Sequence, residues 1–360
     1  MKRVFILGAG ASHEDGAPLM SDFLVKAREL HRSPPQGIGL NSSAFDDVFR
    51  AVGELQGIFA KSNLDLENIE TLFGLIEMSQ LLGKLGGRDK ESIANLRLSL
   101  ITLIVQTLEL KMPCQVTDTV VNPHRNYNDL VKTFQDYLNQ PHSLGASNIS
   151  VLSFNYDLGL EIALSKSRIP FDYCLEGPPQ ANAIPYMKLH GSINWGHCTK
   201  CNEVTAIPVG DVGHQITPGH TRLAYYSIGS GISNWKHCDL NLAGPPVIVP
   251  PSWNKGAFHD QMGRVWRQAR NELETAESIY VIGYSLPETD LFFRYLFSLG
   301  TQSDVHLKRM WVVNPDGSGA VEQRFRELLG RSIESRFRFI TRPMSDFIHS
   351  GFYREAILEP

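Results

Sequence analysis

The chain has 360 residues, of which 42% are hydrophobic and 20% are charged, and its formal net charge is −4. This is the composition of a soluble globular protein, long enough for one large domain or one domain with a substantial insertion. The mild acidic balance gives no reason to expect direct nucleic-acid binding. A buried strand begins too early for a signal peptide, and the most apolar helical stretch, 96–110, is shorter than a bilayer span, so we predict no membrane partner. Five scattered cysteines favour a reducing cytoplasm.

A short apolar run at residues 4–7 predicts a buried parallel strand that leads directly into a glycine-rich turn. The turn consists of Gly8, Ala9, Gly10, Ala11 and Ser12. Glycines let the backbone approach a phosphate closely, and the start of a following helix supplies N–H donors. The standard dinucleotide fingerprint has a third glycine that this turn lacks. By itself, the turn fits either a phosphate site or a plain tight turn between strand and helix.

Residues 41–145 show apolar side chains at helical spacing, with no strand predicted among them. Helices are expected at about 45–59, 66–76, 93–110 and 127–138. A helical bundle between two strands indicates an insertion at the edge of an α/β domain. We therefore predict an all-helical insertion at 41–145, with its apolar faces forming its own core and its surface serving as an assembly interface.

Short apolar segments alternate with helical patterns from residue 149 onward. Strands are predicted at 150–154, 183–189, 247–249, 279–282, 309–313 and 338–340. Helices are predicted at 157–166, 259–276, 291–299 and 321–329. This alternation predicts a Rossmann-like, doubly wound parallel sheet formed by 1–40 and 146–360, with an irregular subdomain at 195–245. Ligands of such sheets bind at the carboxyl ends of the strands.

The turns that follow these strands carry polar residues, and each has an ordinary explanation when taken alone. Asn155 and Asp157 would serve as a helix cap, and His190 would be a satisfied core histidine. Gly283 and Ser285 would be a turn and a cap.

In chain order, these turns resemble the sirtuin-like family. The matching motifs are GAG-S at 8–12, N-x-D at 155–157, L-H-G at 189–191, G-x-S at 283–285, and Asn314 at a strand end. The resemblance covers the α/β part, about two thirds of the chain. It implies that NAD contacts Gly8, Ala9, Gly10, Ala11, Ser12, Pro18, Asn155, Asp157, His190, Gly283, Tyr284, Ser285 and Asn314.

The same resemblance implies roles for three catalytic residues. His190 would be the general base, and Asn155 would bind the ribose hydroxyls or a water below C1′. Asp157 would orient the nicotinamide amide or the loop. The diphosphate would lie on the turn at 8–12, and Asp316 is expected to cap a helix rather than to contact a ribose.

Two departures from protein deacylases shift the expected activity. Deacylases carry G-I-P-D-F-R after the first turn, whereas residues 16–23 read GAPLMSDF, without the arginine. The segment where deacylases align a peptide is replaced by 247–255, where Pro250 and Pro251 cannot donate ladder hydrogen bonds. With its helical insertion, the chain looks more like the bacterial antiphage-defence proteins that hydrolyse NAD. We predict an NAD glycohydrolase that is activated by a partner or by assembly.

Two other functions remain open from the sequence. One is an NAD-dependent protein deacylase or ADP-ribosyltransferase, and the other is a non-catalytic sensor of NAD or ADP-ribose. The presence of both Asn155 and His190 argues against a pure binder. The resemblance also implies a homo-oligomer and a separately encoded partner, such as a hexameric translocase-type ATPase or an Argonaute.

Cys198 and Cys201 form a Cys-x-x-Cys pair after the L-H-G motif, where many sirtuin-like proteins place a zinc ribbon. A complete ribbon has a second such pair, but this chain offers only the adjacent His237 and Cys238, which are not spaced as a ligand pair. A zinc site formed by Cys198, Cys201 and Cys238 would need a further ligand such as His197, His214 or His220. The alternative is a degenerate ribbon without metal.

Overall fold

A computed structural model describes residues 1–57, 63–141, 143, 145–211, 214–217, 222–249, 259–302, 306–351 and 357–358. The strands are β1 (Arg3–Leu7), β2 (Cys114–Thr117), β3 (Val120–Asn122), β4 (Ile149–Ser153), β5 (Phe171–Asp172), β6 (Ile184–Lys188), β7 (Trp195–His197), β8 (Val204–Ala206), β9 (His214–Ile216), β10 (Arg222–Tyr226), β11 (Lys236–His237), β12 (Leu240–Asn241), β13 (Ser278–Ile282), β14 (Arg309–Val313) and β15 (Phe337–Ile340).

The helices are α1 (Ala9–His13), α2 (Phe23–Arg32), α3 (Ser42–Gln56), α4 (Ile69–Leu82), α5 (Lys90–Lys111), α6 (Arg125–Leu138), α7 (Gly159–Lys166), α8 (His259–Glu274), α9 (Leu291–Gly300), α10 (Ala320–Leu328) and α11 (Met344–His349). These elements form two compact units. The first unit comprises Met1–Asp15, Pro123–Gly191 and Ala257–Pro360, and the second comprises Gly16–Asn122 and Ser192–Gly256.

The first unit contains a seven-stranded parallel sheet in the order β15-β14-β13-β1-β4-β6-β5. Every residue of β1, β4, β6 and β13 is buried, because helices flank a sheet made of apolar runs. From β1 the chain builds outward to β4 and β6, then returns to the other side of β1 to build β13, β14 and β15. The predicted Rossmann-like, doubly wound fold is confirmed, and its switch point lies between β1 and β13.

One predicted strand was wrong. Residues 247–249 do not join the seven-stranded sheet. Instead, Val247 exchanges backbone hydrogen bonds with Ser192 (3.0 Å) and Trp195 (2.8 Å) inside the second unit. The apolar run is buried, but burial alone does not distinguish a sheet strand from an extended segment packed on a loop. Pro250, Pro251 and the rest of the predicted peptide-edge segment lie outside the described residues.

The expectation that 41–145 contains no strand was also wrong. β2 and β3 lie between α5 and α6 and belong to a four-stranded antiparallel sheet in the order β3-β2-β10-β9. The two strands have only four and three residues, and just one of these residues, Cys114, is buried, so they carry too little alternation to be recognised. The partner strand β10 is about a hundred residues away in sequence.

Helix α5 is the central helix of the second unit. The expectation that this apolar helix is too short to span a bilayer was wrong, because its 22 residues extend beyond the apolar stretch 96–110 and, by length and composition alone, could cross a membrane. Two thirds of its apolar window (67%) is buried inside the protein, as expected of a core helix.

The boundaries of the two units differ from those of the predicted domains, which were 1–40 with 146–360, 41–145, and 195–245. Helix α6, expected within the insertion, belongs to the first unit, where Phe134 lies 4.8 Å from Phe5 of β1 between ring centroids. Helix α2 and residues 192–256 belong to the second unit. Periodicity shows that a helix has an apolar face but not which core the face contacts.

Candidate functional site

Four strands of the first unit end at the same level. Leu7 is paired with both Ser153 and Ile282, and Ser153 is paired with Lys188. The pairing continues one residue further through backbone bonds from Gly8 to Ile282 (3.0 Å), Phe154 to Leu7 (2.9 Å) and Leu189 to Ser153 (2.8 Å). The turns that follow β1, β4, β6 and β13 therefore begin side by side.

The glycines of the first turn are required by close backbone packing against the turn after β13. The N–H of Gly10 donates to the carbonyl of Gly283 at 2.9 Å, and the N–H of Ala11 donates to Gly8 at 2.9 Å. A Cβ on Gly8 would lie 2.5 Å from the Cα of Tyr284, and one on Gly10 would lie 2.9 Å from the Cα of Gly283. The N–H groups of Gly8, Gly10 and Ala11 are thus engaged within the protein. A phosphate at this turn would have to use the remaining N–H groups or side chains.

Four buried polar side chains form a connected network beside this turn: Ser12, Tyr127, Asn155 and Asp157. The hydroxyl of Tyr127 lies 2.6 Å from the Oγ of Ser12, and Ser12 donates to the Oδ2 of Asp157 at 2.7 Å. The Oδ1 of Asp157 accepts from the N–H of Gly159 at 2.9 Å and so fixes the start of α7. Burial raises the pKa of Tyr127 well above its ordinary value, and the nearby Asp157 charge adds to the increase.

The orientation of Asn155 is set by this network. Its Nδ2 lies 2.9 Å from the carbonyl of Gly8, 2.9 Å from the Oγ of Ser12 and 3.2 Å from the hydroxyl of Tyr127. An amide NH₂ held by these acceptors leaves the Oδ1 as the atom that can accept a hydrogen bond from a ligand. Asn155 therefore presents an acceptor next to the glycine turn.

A second carboxylate, Asp15, lies next to the network and accepts from the backbone N–H groups of Asn126 and Tyr127 at the start of α6. Burial, and to a lesser extent the charge of Asp157, raise the pKa of Asp15 from 3.8 to about 7, although the two backbone hydrogen bonds act to lower this pKa. Asp15 therefore holds a proton more readily than an ordinary aspartate.

His190 follows β6 and lies within a group of aromatic side chains. Its ring centroid is 5.1 Å from that of Phe154 and 6.3 Å from that of Tyr156. Its Nε2 is 3.6 Å from the Oδ2 of Asp290, which is fully buried and accepts from the Tyr284 hydroxyl at 2.7 Å. A carboxylate at this position would stabilise the imidazolium that forms when His190 takes a proton.

Phe154 contacts residues from two of the other turns at this edge. Phe154 immediately precedes Asn155, packs edge-on against His190, and stacks on Tyr284 with ring centroids 4.0 Å apart. Asn155 and His190 therefore follow adjacent strands, and Asn155 contacts the first glycine turn directly. The arrangement brings together an amide acceptor, a histidine with a nearby carboxylate, and a tightly packed glycine turn.

The other predicted contact residues lie on the β13 and β14 turns or outside the first unit. The carbonyl of Ser285 accepts from the Nε of Arg324 at 3.0 Å, and the Oδ1 of Asn314 accepts from the N–H of Asp316 at 3.1 Å. Pro18 is buried in the second unit.

Asp316 caps α10, as predicted. Its carboxylate accepts from the N–H groups of Ser318 (2.9 Å) and Val321 (2.8 Å). The bond from the Ser318 side chain contributes most to lowering the pKa of Asp316 to about 2.

Sequence reasoning missed Asp15, Tyr127, Lys188 and Asp290. In the sequence, Tyr127 is recognisable only as part of an apolar helix face, and Asp290 only as a possible helix cap. Asp290 does cap α9, because its carboxylate accepts from the N–H of Phe293. Their proximity to the site depends on contacts between distant segments, which no local pattern contains.

Four side chains of the second unit could hold a metal ion: Cys198, Cys201, His237 and Cys238. Their ligand atoms all lie within 4.8 Å of one another, and the Nδ1 of His237 is 3.5 Å from the Sγ of Cys201 and 3.4 Å from that of Cys238. The backbone N–H of Cys201 contributes most to lowering the pKa of Cys198 to about 6, with His237 adding to this effect. These features suit a tetrahedral thiolate–imidazole site.

Two hairpins bring these residues together. Cys198 and Cys201 lie in the turn between β7 and β8, and Cys238 and Asp239, both with positive φ (51° and 64°), form the two-residue turn between β11 and β12. The expectation that the adjacent His237 and Cys238 are not placed as a ligand pair was wrong. His197 bonds to Asn202 at 2.9 Å and is not in the group, His214 lies on β9 outside it, and His220 is outside the described residues.

No family model matches the chain, and no curated protein matches it. Solved structures that resemble it include a Sir2 homologue–NAD complex, with 13% identity, a TM-score of 0.44, and coverage of 99% of this chain and 90% of that one. A Sir2 homologue mutant with 2′-O-acetyl ADP-ribose has 13% identity, a TM-score of 0.43, and coverage of 100% and 94%. Sir2Tm bound to a propionylated peptide has 14% identity, a TM-score of 0.40, and coverage of 99% and 94%. Because these identities and TM-scores are low, they do not determine the activity.

The packing of the two turns makes Gly283→Ala strongly destabilising. Gly283 has φ +67°, and a Cβ there would lie 2.2 Å from the backbone nitrogen of Ala11. We expect a loss of more than ~3 kcal/mol in the free energy of unfolding, measured with urea. Gly319→Ala is the matched control, because Gly319 has φ +82° but open space around it, and it should lose only ~1–2 kcal/mol. Equal losses would contradict the close contact.

The raised pKa of Asp15 predicts a pH dependence of stability. Because the folded-state pKa is raised from 3.8 to about 7, its contribution to stability is complete below about pH 4 and is lost as the pH rises through 7. Between pH 5 and 8 the wild type should lose more thermal stability than Asp15→Asn, which keeps an acceptor for the α6 N–H groups. Asp316→Asn should follow the wild type, because the lowered pKa of Asp316 acts only in more acidic solution. Parallel curves for all three proteins would refute this expectation.

Proposed function

We propose that this protein is a sirtuin-like NAD glycohydrolase that cleaves NAD to nicotinamide and ADP-ribose. The observation that supports it best is that Asn155 and His190 follow adjacent strands, with Asn155 bonded to the glycine turn of β1. Ligands of doubly wound sheets bind at this edge, at the switch point between β1 and β13. The five turn motifs occur in the order that the sirtuin-like family uses.

The chemistry requires few protein groups. When the bond between C1′ of the ribose and the nicotinamide nitrogen breaks, its electron pair goes to the nicotinamide ring, which leaves neutral. Positive charge develops on the sugar, as in glycoside hydrolysis, and a water oxygen then bonds to C1′. The water proton passes to a base and then to solvent. The site must therefore position the ribose and one water rather than supply a strong acid.

The contacts of the site support a division of these roles. The Oδ1 of Asn155 would accept from a ribose hydroxyl or from the attacking water, because its NH₂ group is held by Gly8 and Ser12. His190 would take the water proton, and Asp290, 3.6 Å from its Nε2, would favour the resulting imidazolium. Asp157 would act through Ser12 and the start of α7.

We expect the protein in its activated form, assembled or supplied with its partner, to release nicotinamide and ADP-ribose from NAD, measured by chromatography. His190→Ala should lower turnover by ~10²–10⁴-fold, the usual effect of removing a positioned base, and Asn155→Ala should lower it by a similar factor because the ribose or water loses its acceptor. His214→Ala, an exposed histidine on β9 outside the site, should retain wild-type turnover.

The same assay with an acetylated peptide distinguishes the alternatives. If acetyl-ADP-ribose forms, and only when the peptide is present, the protein is a deacylase and the hydrolase proposal is wrong. ADP-ribose attached to the peptide would indicate a transferase. Bound but unchanged NAD, with any activating partner present, would indicate a sensor.

We further propose that Cys198, Cys201, His237 and Cys238 hold a structural zinc ion. Zinc bonds of ~2.3 Å to sulfur and ~2.0 Å to nitrogen place tetrahedral ligands ~3.5–3.8 Å apart, which fits the His237 contacts of 3.4–3.5 Å. Zinc would link the β7–β8 and β11–β12 hairpins.

Metal analysis of the purified protein should find about one zinc per chain. Cys201→Ser and Cys238→Ser should lose it, and thermal stability should fall with chelators in the wild type. Cys174→Ser, at a buried cysteine of the first unit, should keep the metal. Full zinc retention in the first two variants, or its absence from wild type, would refute the site.

The proposed biological role is antiphage defence, with NAD cleavage held back until a partner or assembly activates it. An unregulated NAD hydrolase would poison its host, and a homo-oligomer or a separately encoded ATPase or Argonaute would supply the control. Phage plating on cells carrying wild type or Asn155→Ala tests this role. Equal plating with both would count against it.

A further inference from the structure

A buried ion pair lies directly below the candidate site. The ammonium of Lys188, at the end of β6, is 2.6 Å from the Oε1 of Glu161 on α7, and both side chains are fully buried. Removing two such charges from water is costly, and well-packed apolar residues often replace a buried pair without loss of stability. A role other than stability would explain the pair.

The ammonium of Lys188 also binds the main chain that carries the site residues. Its Nζ donates to the carbonyl of Asp157 at 2.5 Å and lies 3.4 Å from that of Tyr156. With Glu161, these oxygens account for all three ammonium donors. The Lys188 side chain therefore holds the main chain of Tyr156 and Asp157, the two residues that follow Asn155.

The backbone of Lys188 fixes the other half of the site. Lys188 is paired in register with Ser153 of β4, and the next N–H, that of Leu189, donates to the Ser153 carbonyl at 2.8 Å. His190 follows immediately. Lys188 thus contacts both parts of the site: its backbone lies two residues before His190, and its side chain holds the main chain of Tyr156 and Asp157, next to Asn155.

Glu161 is itself held in place. Its carboxylate accepts from the hydroxyls of Tyr173 (3.1 Å) and Tyr186 (3.3 Å) as well as from Lys188. Burial raises the pKa of Glu161, while Lys188 opposes this increase. The Lys188 ammonium is therefore paired with a carboxylate, that of Glu161, which its other hydrogen bonds hold in one position.

We propose that Lys188 is a positioning residue that aligns the Asn155–Asp157 main chain with His190, and that the pair with Glu161 is retained for this alignment. This inference rests on the proposed function for its kinetic test. We call the contact of the Lys188 ammonium with the Tyr156 and Asp157 carbonyls the clamp. Its effect on the mobility of the 155–162 segment can be measured without any enzyme activity.

The variants are Lys188→Met, the double variant Lys188→Met/Glu161→Gln, and the control Lys2→Met. Lys188→Met leaves Glu161 buried and unpaired, so it should lower the melting temperature. The double variant removes both charges, and its glutamine can accept from one tyrosine hydroxyl through Oε1 and donate to the other through its NH₂ group, so it should regain stability. Lys2 forms a 2.5 Å pair with the largely buried Glu272 at the opposite, N-terminal end of β1, so Lys2→Met reports the effect of losing a buried pair away from the site.

We expect the double variant to have a near-wild-type melting temperature but a kcat for NAD cleavage reduced ~10–100-fold, because small misplacements of aligned groups have effects of this size. Its KM should change less than threefold. Lys2→Met should lose stability and keep both kcat and KM. A double variant with wild-type stability and wild-type kcat would overturn the proposal, as would an equal fall in kcat for Lys2→Met.

Hydrogen–deuterium exchange gives the second readout. Amides in peptides covering 155–162 should exchange faster in the double variant than in wild type, while those of β13 and β14 stay unchanged. If the activated wild type cleaves no NAD, the proposed function fails, but faster exchange confined to 155–162 still supports the contact of Lys188 with this segment. Unchanged exchange in this segment overturns the clamp whatever the activity.

Discussion

The in-register pairing of β1 with β4 and β13, and of β4 with β6, is the constraint on which the site depends. Because Leu7, Ser153, Lys188 and Ile282 are level, four turns begin at one edge of the sheet. A shift of one residue in β6 would move the backbone of His190 along the strand and turn its side chain to the other face of the sheet. Buried apolar strands, with flanking helices, prevent such a shift.

Two kinds of contact organise this common edge. The glycine turns of β1 and β13 pack backbone against backbone, which fixes the floor of the switch point. Buried polar groups then fix the side chains above it: Ser12 and Tyr127 orient Asn155, and Lys188 holds the loop. So many buried polar groups are tolerated only when each is hydrogen-bonded, and these hydrogen bonds together permit a single arrangement of the side chains.

The sequence could predict the parallel sheet because its strands are short apolar runs separated by glycine, asparagine and aspartate turns. β14 was predicted at the residues where it lies, and the other central strands within one or two residues. It could also predict which turns lie at the carboxyl edge of the sheet, since topology alone decides that.

The remaining features depend on contacts between distant segments. β2 and β3 pair with a strand about a hundred residues later, and α6 faces the sheet rather than the helical unit. His237 and Cys238 approach Cys198 only because two hairpins meet. Tyr127 and Lys188 carry no local signal, because an aromatic residue on a helix face and a charge at a strand end have many ordinary explanations.

The central claim is that Asn155 and His190 contact the same ligand. Nuclear magnetic resonance of protein labelled at asparagine and histidine side chains, titrated with ADP-ribose, measures this directly. The account predicts that the Asn155 amide and His190 imidazole signals shift together with one common dissociation constant. Movement of only one signal, or saturation of the two at different concentrations, would contradict it.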